Sequence, residues 1–154
     1  MSLESDVKLL GQIPLLSEFG EDRLRLIAFS ADNRRLADGE ALFYAGQPAD
    51  GAYVVASGAL DFFKTDRDHR IARRGAGALI DERALIVDSH RTLSAIARGS
   101  TEVIHIRRAL FRRMLDEYPE VAVRLRPYFA AALARSSLEI RRVGERLGRL
   151  GDGE

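Results

Sequence analysis

Apolar and polar positions along the chain change their period twice. Residues 5–11 (SDVKLLG) predict a short helix closed by Gly11, and Pro14 then opens a turn through IPLL. Residues 20–31 place Leu24, Ile27 and Ala28 on one face, with acidic residues in the first turn, which is helical spacing. From Asn33 to about 107 the pattern becomes short apolar runs (ALFYAG, AYVVASG, ALDFF, RIARRG, TLSAIA, EVIHI) separated by glycine or charged turns. Their spacing of roughly 8–12 residues predicts a β-sandwich or barrel. Helical periodicity returns near Arg107, with Leu110, Phe111, Met114 and Leu115 on one stripe. Tyr118-Pro119-Glu120 starts a further helix, with proline at its first position, expected to run to about Leu147 and to kink or split at Pro127. Phe129, Leu133, Ser136, Ile140, Val143, Leu147 and Leu150 alternate in steps of four and three, the seam of two helices packed side by side. That helix lies either on its own β-roll or against a second copy; the length of the seam favours self-association.

Composition narrows the classes. The chain has 154 residues, 46% of them hydrophobic and 31% charged, which suits one domain with a real core, or one domain plus a long helix. A formal charge of +1 gives no bulk argument for nucleic acid or an anionic membrane. The basic set is arginine, apart from Lys8 and Lys64, so single arginines are candidates for bidentate phosphate recognition. Cysteine is absent, which excludes disulfides, thiolate metal sites and a cysteine nucleophile. The N-terminus has no signal-peptide pattern and no run reaches membrane-spanning length, so the expected location is cytoplasmic. His69, His90 and His105 are too far apart for a metal-dependent β-roll enzyme, and His105 reads as a structural strand histidine. The carboxylate pairs Glu21-Asp22 and Asp116-Glu117 read as solvated helix ends. With no nucleophile elbow and no triphosphate-binding loop, no catalytic residue, metal or cofactor is expected.

The run GEALFYAGQPADGAYVVASGALDFF, with Gly39, Gly46, Tyr53, Val54, Val55 and Gly58 at their spacing, resembles the first half of the cyclic-nucleotide-binding domain family. That family includes the bacterial catabolite activators and the regulatory subunits of cyclic-nucleotide-dependent kinases. The resemblance covers about residues 10–140. It implies a mainly β, α+β fold: a double-stranded β-helix jelly-roll with its N-terminal helices over 1–118, then a long helix over 119–150 serving as lid and dimer contact. No room is left for the helix-turn-helix of the activators, so DNA is not an expected partner, nor is a membrane.

In the family, the position of residues 77–97 (GALIDERALIVDSHRTLSAIA) holds the phosphate-binding cassette. Glu82 and Arg91 stand nine positions apart, Ala84, Leu85 and Ile86 form the short helix, and Thr92 follows the arginine. The resemblance implies that Glu82 accepts from the ribose 2′-hydroxyl, that Arg91 forks onto the cyclic phosphate, and that backbone N–H groups at 82–86 face the anion. Ser136 and Ser137 match the paired hydroxyl residues that touch the base in the bacterial activators; otherwise they are small residues that let two helices approach.

Four departures matter. The family glycine before the glutamate is Asp81, expected to cap the short helix through its side chain and take the N–H of Arg83 or Ala84 that a phosphate would use. Leu93 replaces alanine, read as a change in core packing with a narrowed pocket as the alternative, Arg83 adds positive charge beside the site, and His90 reads as a surface residue. The ligand-binding set is therefore Asp81, Glu82, Arg83, Ala84, Arg91, Thr92, Ser136 and Ser137. Two functions follow: a non-enzymatic sensor of cyclic AMP or cyclic GMP that signals to another protein as a homodimer, or a ligand-free version of the fold acting as a dimeric interaction module.

Overall fold

The structure, a computed structural model, describes residues 2–64 and 69–134. Helices α1 (Leu3–Gly11), α2 (Pro14–Ser17) and α3 (Glu21–Ser30) lead into strands β1 (Asp32–Leu36), β2 (Ala41–Phe43), β3 (Pro48–Ala49), β4 (Gly51–Phe63), β5 (Arg70–Gly75) and β6 (Leu79–Ile80). A 3-10 turn (Glu82–Leu85), β7 (Ser89–His90), β8 (Ser94–Arg107) and α4 (Arg108–Glu117) follow. The chain is helical again over 119–134, a segment called α5 below. The start of α1 is fixed by a reciprocal cap in which Ser2 and Ser5 each accept from the other's backbone N–H.

All strand pairs are antiparallel. The main sheet runs β1-β8-β4-β5, with β2 added on β8 and β6 on β4, while β3 and β7 form a small second sheet. The expectation of many short strands is corrected at two places. AYVVASG and ALDFF are one strand, β4, and TLSAIA and EVIHI are one strand, β8. The two pair along most of their length, with irregularities between Val55 and Ala59. Gly58 at φ +78° lets β4 bend there and continue. A glycine between apolar runs therefore marks a bulge here and not a turn.

The continuous apolar character of β4 and β8 follows from burial on both faces. Ala52, Val54, Ile104 and Ile106 point outward to a core shared with the helices, where Leu10, Leu16, Ile27, Phe111, Val121 and Leu125 are buried. Tyr53, Val55 and Val103 point into the roll with Leu36, Phe43, Leu60, Phe62 and Ile80. Alternation along one strand thus feeds two apolar clusters.

Helix α4 buries Leu110, Phe111 and Met114, as its stripe predicts. The helix over 119–134 is not split at Pro127. It is anchored by Val121, Leu125 and Ala132, and the Phe129 ring meets Phe111 edge-on at 5.7 Å. Phe129, the first position of the expected inter-helix seam, is thus packed on its own domain, against Phe111 of α4. The seam from Ser136 onward lies outside the described residues, as do Ser137 and the expected end of the helix.

Candidate functional site

A cleft of about 810 Å³ opens between the roll and α5. One wall is Asp81, Glu82, Arg83 and Ala84, with His90 and Thr92 beside it. Ile13, Pro14 and Leu15 from the N-terminal helices and Arg74 from β5 supply a second wall. Tyr128 and Ala132 of α5 close the third side. Five of the eight sequence-derived site residues (Asp81, Glu82, Arg83, Ala84, Thr92) therefore share one surface, and His90, exposed as expected, borders it too. Ser136 and Ser137 fall outside the described residues.

Arg91 is the exception. It is only 4% exposed and does not line the cleft. Its Nη1 donates to the Asp81 carboxylate (Oδ2, 2.9 Å) and to the Gly51 carbonyl (3.0 Å). Its Nη2 lies 3.8 Å from Asp50 Oδ1. The guanidinium sits 4.5 Å from the Phe43 ring centroid and 5.2 Å from that of Tyr53, within cation–π reach of both. Asp81 stands on the cleft side of this group and Asp50 on the other.

The expected role of Asp81 as a side-chain cap is corrected. The residue adopts φ 60°, ψ 50°, and its side chain makes no capping bond. A capping side chain reaches over the first turn from an extended backbone; the left-handed conformation aims it elsewhere, here at Arg91. The N–H of Ala84 is taken by the Asp81 carbonyl (2.9 Å), which closes the 3-10 turn, so that donor does not face an anion.

Two features escaped the sequence pattern. Asp50 accepts from His105 Nε2 at 3.0 Å, and the imidazole stacks on Tyr53 at 4.4 Å between ring centroids. Burial lowers the His105 pKa, partly opposed by Asp50, which favours the neutral ring, and facing a carboxylate Nε2 is the nitrogen that carries hydrogen. Burial likewise raises the pKa of the Tyr53 phenol. The second feature is Arg108 at the start of α4. Its Nη1 donates to the carbonyls of Ala49, Ala84 and Val87 (3.0, 3.0 and 3.1 Å), and Arg112 Nη2 donates to Ile86 O (3.1 Å), so α4 staples the cassette turn from outside. An inward-facing strand histidine beside an aspartate is a weak signal, and carbonyl-seeking arginines give none before the turn geometry is known. Leu93 packs against the roll core, the core-packing role expected of it, and borders a smaller cavity of about 170 Å³ next to Asp81. Among the described residues no group of three His, Asp or Glu side chains is placed to hold a metal, and no helix is long and apolar enough to cross a membrane.

Residues 33–118 match the family model described as the cyclic nucleotide-binding domain, more than half of the chain. The chain belongs to this family. The match spans the roll from β1 to the end of α4 and includes the cassette. Among relatives of this cyclic nucleotide-binding domain, the cyclic AMP receptor protein of Thermus thermophilus is 31% identical over 118 residues, covering 74% of this chain and 55% of that protein. The chain thus spans about half the length of that relative. The solved structure of a cyclic nucleotide-binding-like protein from Brucella abortus is 40% identical, with a TM-score of 0.65, covering 72% of this chain and 97% of the other. The N-terminal domain of a transcriptional regulator from Streptomyces coelicolor superposes with a TM-score of 0.74 at 26% identity, over 86% of this chain and 94% of that one. The fold is accordingly the family's antiparallel β jelly-roll with flanking helices, an α+β class.

Proposed function

We propose that the chain is a non-enzymatic regulatory module that binds a cyclic nucleotide, cyclic AMP or cyclic GMP, in the cleft between the cassette and α5. The observation that carries this reading is the composition of that cleft. Glu82, Arg83 and Thr92 of the family cassette share one cavity with Tyr128 and Ala132 of the helix. Its size falls in the range that encloses small molecules. Glu82 is the acceptor for the ribose 2′-hydroxyl, and a deoxyribose would forfeit that bond, at a cost of about 1–3 kcal/mol. Arg74 and Arg83 bring positive charge toward the phosphate, and Arg91 lies one carboxylate away from it. A ligand touching both cassette and helix favours the arrangement in which the two are close, by its difference in affinity for the open and closed states. The Thermus thermophilus relative is by name a cyclic AMP receptor, which supports this ligand class.

Calorimetric titration with cyclic AMP and cyclic GMP tests the reading. Saturable binding by at least one nucleotide is expected, weakened in Glu82→Gln and with the 2′-deoxy analogue. No saturable binding of either nucleotide up to millimolar concentration would overturn it.

The Asp81–Arg91 pair favours a second reading, in which the arginine is satisfied without ligand and the fold serves as a dimeric interaction module through its C-terminal helix. That reading expects self-association indifferent to nucleotide, and monomers from Ile140→Asp by sedimentation.

A further inference from the structure

We propose that the Asp81 carboxylate is a built-in competitor at the anion site, so that a nucleotide phosphate reaches Arg91 only by exchange against it. This rests on the cyclic-nucleotide reading above and adds to it how affinity is set. Three observations carry it.

The first is position. Asp81 lines the cleft and Arg91 does not, and their side chains are 2.9 Å apart, so the carboxylate stands between cavity and guanidinium. The second is what surrounds the rest of the guanidinium. The Gly51 carbonyl, Asp50 and the rings of Phe43 and Tyr53 also surround it, and of these neighbours only Asp81 lines the cleft. The Asp81 side chain keeps 35% of its surface exposed, against 3% for Arg91, so it can turn into water when displaced. The third is the backbone. Asp81 is the one non-glycine residue with positive φ among the described residues. Aspartate and asparagine tolerate this conformation better than other side chains. The turn therefore keeps a glycine-like bend and carries a carboxylate at the point where a glycine would present none.

Carboxylate and phosphodiester are both anionic acceptors for a guanidinium. Exchange leaves the charge-assisted bonding of Arg91 unchanged and adds repulsion between ligand and displaced carboxylate. Intrinsic affinity for phosphate is thus spent on breaking the internal pair.

The decisive experiment is calorimetric titration of the native chain, Asp81→Asn and Asp81→Gly with cyclic AMP and cyclic GMP, the fold of each checked by circular dichroism. Asparagine keeps the size and the tolerance for positive φ while removing the charge, and glycine removes the side chain. Both variants are expected to bind at least about ten-fold more tightly than the native chain, equivalent to about 1.4 kcal/mol. Adding Arg91→Lys to Asp81→Gly should cancel the gain. Binding by the native chain with equal or weaker affinity in both variants would overturn the competitor role and leave the nucleotide reading standing. Absence of binding in all three proteins would overturn both together.

Discussion

Gly58 offers a quantitative check on the bend that shapes the roll. An added Cβ there would lie 2.4 Å from the Ser100 carbonyl oxygen and 2.8 Å from Thr101 Cα, both backbone atoms, on a residue at φ +78°. Gly39 has nearly the same φ, +81°, but an added Cβ meets nothing within 4 Å. The left-handed conformation costs an L-residue roughly 1–2 kcal/mol, and forcing extra carbon into packed structure costs about 1–3 kcal/mol. Gly39→Ala should therefore cost about 1–2 kcal/mol, and Gly58→Ala about 2–5 kcal/mol, because it alone pays both terms. Urea unfolding followed by circular dichroism measures each. Equal losses in the two variants would refute the claim that close approach of β8, beyond backbone conformation, requires glycine at the bulge.

Three further outcomes are expected. His105 has its pKa depressed by burial, so the unfolded state binds more protons; stability should be complete above about pH 6.5 and fall as pH drops below it, with the slope between pH 7.5 and 5.5 reduced in His105→Gln by denaturant titration. Asp6 is 3% exposed, its Oδ1 has no hydrogen-bond partner among the described residues, and burial raises its pKa; Asp6→Asn should stabilise the neutral-pH fold by about 1 kcal/mol, a gain that fades on acidification as the native aspartate protonates. Arg108→Ala removes a donor shared by three carbonyls and should cost about 2–3 kcal/mol in thermal or urea unfolding, with hydrogen exchange accelerated at the cassette turn ahead of the rest of the roll.

Elements with a strong period were legible in the sequence. The α3 face of Leu24, Ile27 and Ala28 and Leu110, Phe111 and Met114 of the α4 stripe are buried as the spacing implies, with Leu115 half-buried beside them. The eight strands expected are the number found, but the continuity of β4 and β8 was not legible, because a bulge glycine and a turn glycine look alike in sequence and only pairing with β8 distinguishes Gly58. The cassette was legible as a segment, since Glu82 and Thr92 reach the cleft. Its charge logic was not. Whether Asp81 caps the turn or pairs with Arg91 depends on one backbone angle, and the sequence suggests the extended one that aspartate takes at helix starts. Phe129 was ambiguous for a similar reason: a four-three alternation describes any helix with one apolar face, and at Phe129 that face meets Phe111 of the same domain, the first of the two arrangements the seam allowed.

The same few peptide units connect the cleft to the helices that follow the roll. Arg91 donates to the carbonyl of Gly51, Arg108 N–H donates to the carbonyl of Asp50 (2.7 Å), and the Arg108 side chain donates to the carbonyl of Ala49. Arg108 also holds Ala84 and Val87, on the far side of the turn that carries Glu82. A ligand that pulls Arg91 toward the cleft therefore strains the segment 49–51, and that segment is bonded directly to the first residue of α4. Coupling between two sites needs an element with two arrangements that both sites bias. The short β3–β4 junction meets the second half of that requirement, being bonded to the arginine on one side and to α4 on the other. If nucleotide binding moves the helices, Arg108→Ala should leave a nucleotide bound while uncoupling the response of α5, read as loss of ligand-dependent hydrogen-exchange protection over 119–134. Protection that persists in this variant would place the coupling instead in the direct contact of ligand with Tyr128 and Ala132.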